Sequence, residues 1–206
     1  MTHSFLPDPA LPLFPLQTVL FPDGLLELKI FETRYLDLMA RCMREQTPFG
    51  VVALRSGGEA RVSGAPVALF DVGTLAELIE VDSPEANILL VRCRGGQRFT
   101  LGATRQEADG LWVGDALPVG DDPVVAPSAT HANVVKSLVD AVATLSAQGA
   151  EPFLAPHRFD DAGWVANRWC EILPLPIDAK HRLLGLDPLS RLDIVDSLMR
   201  VRHTPH

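Results

Sequence analysis

The sequence predicts an α+β protein, with a β-rich first half forming a barrel-like or sandwich sheet and a small α-helical bundle after it. Three observations predict this. Short apolar runs separated by Gly and Pro turn signals recur from Leu11 to Val119, the pattern of closely spaced strands. Gly120–Thr130, GDDPVVAPSAT, then shifts the composition to Pro, Asp and Ser. From His131 the apolar period is helical. The expected organisation is a β-rich subdomain over 1–120 with one helix at about 32–46, a linker over 121–130, and a helical subdomain over 131–206.

Residues 1–10 read as a loose arm. Leu11–Leu16 and Val19–Phe21 are apolar runs leading into Pro22-Asp23-Gly24. There Pro presets φ, and Gly24 is expected to take the positive φ of a tight reversal. Leu25–Ile30 sets Glu27 and Lys29 between Leu26, Leu28 and Ile30, as a half-buried strand does. From Thr33, Tyr35, Leu38, Met39 and Cys42 make one helical stripe, with Arg34, Asp37, Arg41 and Arg44 opposite. Pro48 ends that helix and Phe49–Leu54 reads as a buried strand. Arg55–Gly64 is a polar, Gly-rich loop. Val67–Val81, interrupted only by Gly73, reads as one long bent strand or two strands joined at a kink. Asp82-Ser83-Pro84-Glu85 is expected to turn. Gly95-Gly96, after the run Ile88–Cys93, suits a hairpin or a bulge before Gln97–Leu101, and Trp112–Val119 closes the β-rich part.

Beyond the linker, His131–Gln148 is a helix with Gly149 past its end. Asp160 or Asp161 caps a helix running to about Leu173, ahead of Pro174. Ile177–Leu184 is a short helix ended by Gly185. Asp187-Pro188 starts the last helix, Asp as cap and Pro at the first position, running to about Arg202.

The run Leu11–Leu16, then Val19-Leu20-Phe21-Pro22, Ile30-Phe31-Glu32 and Arg34-Tyr35, resembles the opening of the Lon protease N-terminal, substrate-binding domain family. Phe49-Gly50-Val51-Val52, Val72–Ala76 and Gly96–Phe99 continue the likeness. Ala166-Asn167-Arg168 and Leu173-Pro174-Leu175, with Lys180 and Leu183-Leu184, resemble the helical half of that domain. The motifs follow the family's order from about Leu11 to Arg200. They depart from it at Asp23, where the family often has Pro-Gly directly, and at Thr33, where Pro is common. The resemblance implies a PUA-like, partly open barrel and a recognition module that binds polypeptide. The ATPase and Ser–Lys peptidase modules of a full Lon protease have no counterpart in this sequence.

Composition narrows the chemistry. The chain has 206 residues, 47% hydrophobic and 21% charged, with a net charge of −8. That charge disfavours general nucleic-acid binding, which needs a basic surface, and offers nothing to anionic lipid. No stretch reaches the roughly 18 uninterrupted apolar residues of a membrane span. The N-terminus lacks the basic and apolar regions of a signal peptide. Cys42, Cys93 and Cys170 are widely spaced among apolar neighbours, read as small buried hydrophobes suited to a reducing cytoplasm. The six histidines show no metal-ligand spacing, so no metal or other cofactor is expected. Lys136-Ser137 follows Val134-Val135 instead of glycine, so no phosphate loop is written. No serine lies in GxSxG. Arg92 and Arg94 flank Cys93, but strand neighbours point to the opposite face and do not activate its thiol.

The expected function is therefore non-catalytic recognition of unfolded or extended polypeptide, through a shallow apolar groove or an exposed sheet edge. A protease or chaperone would be the further partner of an adaptor, and homo-association is left open. The candidate binding residues are Phe21, Phe31, Glu32, Arg34, Tyr35 and Trp164. Each has a packing alternative: Glu32 and Arg34 can tie the strand-to-helix junction to backbone or to Arg98, and the aromatic rings can belong to the core. An alternative class is a small hydrolase-like enzyme with a pocket between barrel and helices.

Overall fold

The computed structural model describes residues 10–56 and 67–202. Most of the arm expected over 1–10 and most of the loop expected over 55–64 lie outside the described residues. The chain divides into two compact units at the Gly120/Asp121 boundary.

The first unit carries strands β1 (Leu11–Leu16), β2 (Leu25–Ile30), β3 (Phe49–Ser56), β4 (Ala68–Glu85), β5 (Ile88–Gln106) and β6 (Trp112–Pro118), with helix α1 (Thr33–Glu45) between β2 and β3. The strands form one sheet in the order β2-β5-β4-β3-β1-β6, and β5 also pairs with β6. That extra pairing bends the sheet into a partly closed ring. β1 runs parallel to β3, Leu13 opposite Gly50, while the other pairs are antiparallel.

The long strand β5 makes the ring possible. Its first half pairs with β2 from Leu89 to Arg94, and its second half pairs with β6 from Phe99 to Gln106. The handover falls at Gly95-Gly96, where Ala76 faces Gly95 but Thr74 faces Arg98. The glycine pair is thus a bulge inside one strand, not a hairpin, and a bulge bends the strand that carries it. A Cβ on Gly95 would lie 2.1 Å from the Phe21 carbonyl oxygen. The Asp23 amide donates to the Gly95 carbonyl at 2.7 Å, and the Gly95 amide donates to the Gly24 carbonyl at 2.9 Å. The turn after Phe21 is therefore sewn onto β5 at a residue without a side chain.

Two local expectations change. In that turn it is Asp23, not Gly24, that adopts positive φ, at 58°, a conformation Asp tolerates better than most residues. Of the two readings of 67–81, the single long strand holds, with residues 68–81 inside β4. A Cβ at its Gly73 would lie 2.5 Å from the Phe99 ring, so the glycine makes room for an aromatic instead of breaking the strand. Asp82–Glu85 continues β4, and the reversal comes at Ala86-Asn87, with Asn87 at φ 62°. Asn enters the left-handed region readily, whereas Pro84 is tolerated in the strand because β3 does not extend alongside it.

The core beneath the sheet follows the helical stripe read from sequence. Tyr35, Leu38, Met39 and Cys42 of α1 pack with Phe14, Phe49, Val91 and Cys93. The Phe14 and Tyr35 rings stack at 4.0 Å between centroids.

The second unit holds a 3-10 turn at Ala129–His131 and helices α2 (Ala132–Ala147), α3 (Ala162–Ile172), α4 (Ile177–Leu184) and α5 (Pro188–Arg202). Gly149, past α2, has φ 79°. Asp161 caps α3 by accepting the Gly163 amide at 3.0 Å, and Asp187 caps α5 by accepting the Ser190 amide at 3.1 Å. Ala162–Cys170 is buried residue after residue, so α3 is the central helix of this unit. The stretch over 121–128 has no regular structure but is bonded to the helices: Ala162 donates to the Val125 carbonyl at 2.8 Å and Asp122 pairs with Arg191 at 3.0 Å.

Candidate functional site

The six sequence-predicted residues divide by burial. Phe21 and Tyr35 are core residues of the first unit, and Trp164 is a core residue of the second. Trp164 sits among the rings of Phe153, His157 and Phe159, and Trp169 is also buried, its indole donating to the Val134 carbonyl at 3.1 Å. Five-residue spacing leaves neither tryptophan exposed because α3 is enclosed all round.

Arg34 is buried as well. Its guanidinium pairs with Glu32 at 2.8 Å, donates to the Gly110 carbonyl at 2.8 Å, and lies 4.6 Å from the Tyr35 ring centroid. This brings Glu32, Arg34 and Tyr35 together as a brace of the strand-to-helix junction, anchored on Gly110, whereas Arg98 donates to the Gly120 carbonyl. Phe21, Arg34, Tyr35 and Trp164, withdrawn from solvent, present no surface to a ligand. Glu32 keeps partial exposure. Phe31 alone of the six is open, at 66%.

Phe31 immediately follows β2, and β2 is the edge that the ring leaves outside. Strand β2 pairs with β5 on one side, and among the described residues no strand pairs with its other side. An edge strand presents alternate backbone N–H and C=O groups to whatever approaches. The pleat turns Leu26 and Ile30 into the core and leaves Glu27 and Lys29 exposed.

Beside this edge, the outer face of β2, β5 and β4 forms a groove of about 450 Å³. The register lays two rungs across it, Glu27–Arg92–Glu80 and Lys29–Leu90–Asp82. Arg92 contacts Glu27 at 3.3 Å and Glu80 at 2.9 Å. The hydrogen bond to Glu80 is the largest influence that raises the Arg92 pKa above the ordinary guanidinium value. Leu90 stays 42% exposed between Lys29 and Asp82. The site thus combines an open edge, an exposed aromatic at its end and a groove of alternating charge around one exposed leucine. Glu80, Asp82, Leu90 and Arg92 were not expected here. Their alternation is visible in sequence, but only strand order puts them beside β2.

Other chemistry in the chain has structural duties. Burial pushes the Cys93 thiol up to about 12, and does the same to Cys170, so neither is a thiolate nucleophile near neutrality. Ser128, His131 and Asp193 do align: Ser128 Oγ is 3.0 Å from His131 Nδ1, and His131 Nε2 is 2.7 Å from Asp193 Oδ1. The Ser128 backbone N–H also points at Nδ1, at 3.2 Å, which assigns the ring proton to Nε2. The Ser128 hydroxyl receives the His131 backbone in turn. The three residues form a reciprocal cap at the entry to α2, tied to α5.

Comparisons with known proteins agree on the fold. Over 90% of the chain, and 95% of that chain, it resembles the N-terminal domain of Mycobacterium avium complex Lon protease, with a TM-score of 0.60 and 16% identity. A Lon N-terminal domain protein from Xanthomonas campestris is more similar, with 30% identity and a TM-score of 0.71 over 91% of this chain and 97% of that one. Among curated proteins none matches. The family model of the ATP-dependent protease La (LON) substrate-binding domain matches residues 10–201. The chain belongs to the Lon substrate-binding domain family.

Proposed function

We propose that this protein is a non-catalytic recognition module that binds extended polypeptide by strand addition to the open edge of β2. The observation that carries the reading is the one-sided pairing of β2. A peptide laid along Leu25–Ile30 gains main-chain hydrogen bonds of any sequence, which suits a binder of unfolded chains. Phe31 at the end of the strand offers an aromatic anchor of the type that dominates binding energy at such surfaces. Leu90 and the charged rungs lie alongside, where alternate side chains of the peptide would meet them. Membership of a substrate-binding domain family supports the same reading. An adaptor role, in which the bound client is handed to a protease or chaperone, extends it. A reducing, cytoplasmic setting suits the three free, buried thiols.

The test is a binding screen of the purified protein against an array of peptides from unfolded proteins, with Phe31→Ala beside it. We expect saturable binding that Phe31→Ala weakens by about tenfold, roughly 1.4 kcal/mol. The variant's melting temperature should not change, because Phe31 is largely in solvent. No saturable binding at peptide concentrations up to about a millimolar, the −4 kcal/mol limit, overturns the reading.

A further inference from the structure

We infer that β2 is also a self-complementary interface, through which two copies of this chain pair edge to edge, antiparallel, about a two-fold axis at Leu28. The inference uses the same open edge as the peptide reading but does not depend on it.

The argument begins with the order of residues. If Leu28 lies opposite its own copy, Glu27 of each strand falls opposite Lys29 of the other. Both exposed charges of the strand are then neutralised, twice, by symmetry. Leu26 falls opposite Ile30 on the core face, and Leu25 opposite the exposed Phe31 on the outer face. An isologous interface requires this kind of self-complementarity, and directly opposed residues of opposite charge stabilise an antiparallel pair while like charges oppose it. Moving the axis along the strand loses the charge match: an axis at Glu27 or at Lys29 sets that charge opposite its own copy, an axis at Leu26 puts Glu27 opposite Leu25, and an axis at Ile30 puts Lys29 opposite Phe31.

The backbone agrees. In this register paired residues have numbers of the same parity. Whichever alternate set of N–H and C=O groups β2 turns away from β5, the two strands turn the same set toward each other. A charged residue in an edge strand ordinarily deters pairing. Here Glu27 and Lys29 deter every register except the one that matches them. Six residues a side form a small interface, so the association is weak and reversible. A dimer of this kind covers the edge, and a polypeptide must displace one strand to reach the other.

Charge reversal tests the register. The full chain is examined by sedimentation over a concentration series, without peptide, as wild type, as Glu27→Lys, as Lys29→Glu and as the double variant Glu27→Lys/Lys29→Glu. Each single variant opposes like charges at both positions and should raise the dissociation constant about tenfold or more. The double variant restores opposite charges and should return to the wild-type value. Mixing the two single variants should also restore dimers, because each supplies the charge the other lacks. Hydrogen exchange provides a second readout: backbone amides within 25–30 should slow as concentration rises. A wild type that stays a single chain up to about a millimolar overturns the inference. So do single variants that associate as the wild type does, or a mixture that associates no better than its components. Because peptide is absent throughout, failure here leaves the recognition reading intact, and a failed peptide screen leaves this one intact.

Discussion

Arg191 shows how much one residue can hold. It is fully buried, and its donors reach Leu183 at 2.8 Å, Leu186 at 2.5 Å, Leu184 at 3.4 Å, Asn167 at 2.6 Å and Asp122 at 3.0 Å. One guanidinium thereby satisfies the carbonyls at the end of α4 and links them to α3 and to the stretch before α2. Arg191→Met should destabilise the helical unit by about 3 kcal/mol, since removing one member of a buried charged network strands the others. Arg191→Lys should recover little of it, because an ammonium cannot span the same fork; denaturant melts of both variants check this. In the sequence Asn167 stands out only as part of a family-like motif. Its partner is 24 positions away, and no local pattern announces such a pairing. Residue types with strong local rules fared differently: Asp161 and Asp187 could be read as caps because the cap and the amide it accepts lie within three residues of each other.

At the scale of the element, β5 and the turn at Phe21–Gly24 depend on each other. Gly95→Ala should cost about 2–3 kcal/mol, in the range of overpacked interiors, because its new methyl meets the Phe21 carbonyl, which is backbone and cannot swing away. Gly96→Ala, whose nearest neighbour is the flexible end of Glu77 at 3.2 Å, should cost much less. Comparing the two midpoints separates the effect of close approach from that of a general loss of glycine freedom. Element type was legible nearly throughout, since period and punctuation are local. The reversals were less so. Asn87 turns the β4–β5 hairpin and Asp23 the earlier loop, although Pro84 and Gly24 are the stronger turn formers. In each case the pairing partners of a long strand chose where the chain bends.

For the whole molecule, the boundary between the units carries a prediction. The sequence suggests a linker over 121–130, but Asp122 and Val125 are hydrogen-bonded to α5 and α3. A fragment of residues 121–206 should therefore melt cooperatively, and one of residues 131–206 should be less stable by about 2–4 kcal/mol. Circular dichroism melts of the two fragments decide it. Equal stability would return the stretch to linker status.

Sequence alone determined the α+β class, the place of each helix and the family, because these rest on periodicity, caps and motifs that are local in the chain. It also drew attention to the segment from Phe21 to Tyr35. Only the tertiary structure decided which of those residues reach solvent. Phe31 and Tyr35 are both aromatic and four positions apart, yet one stands in water and the other stacks on Phe14. Composition cannot separate them, because burial is a property of what packs against a side chain. The open edge of β2 is of the same kind. An edge is defined by the strands that do not pair with it, and strand order exists only once the chain has folded.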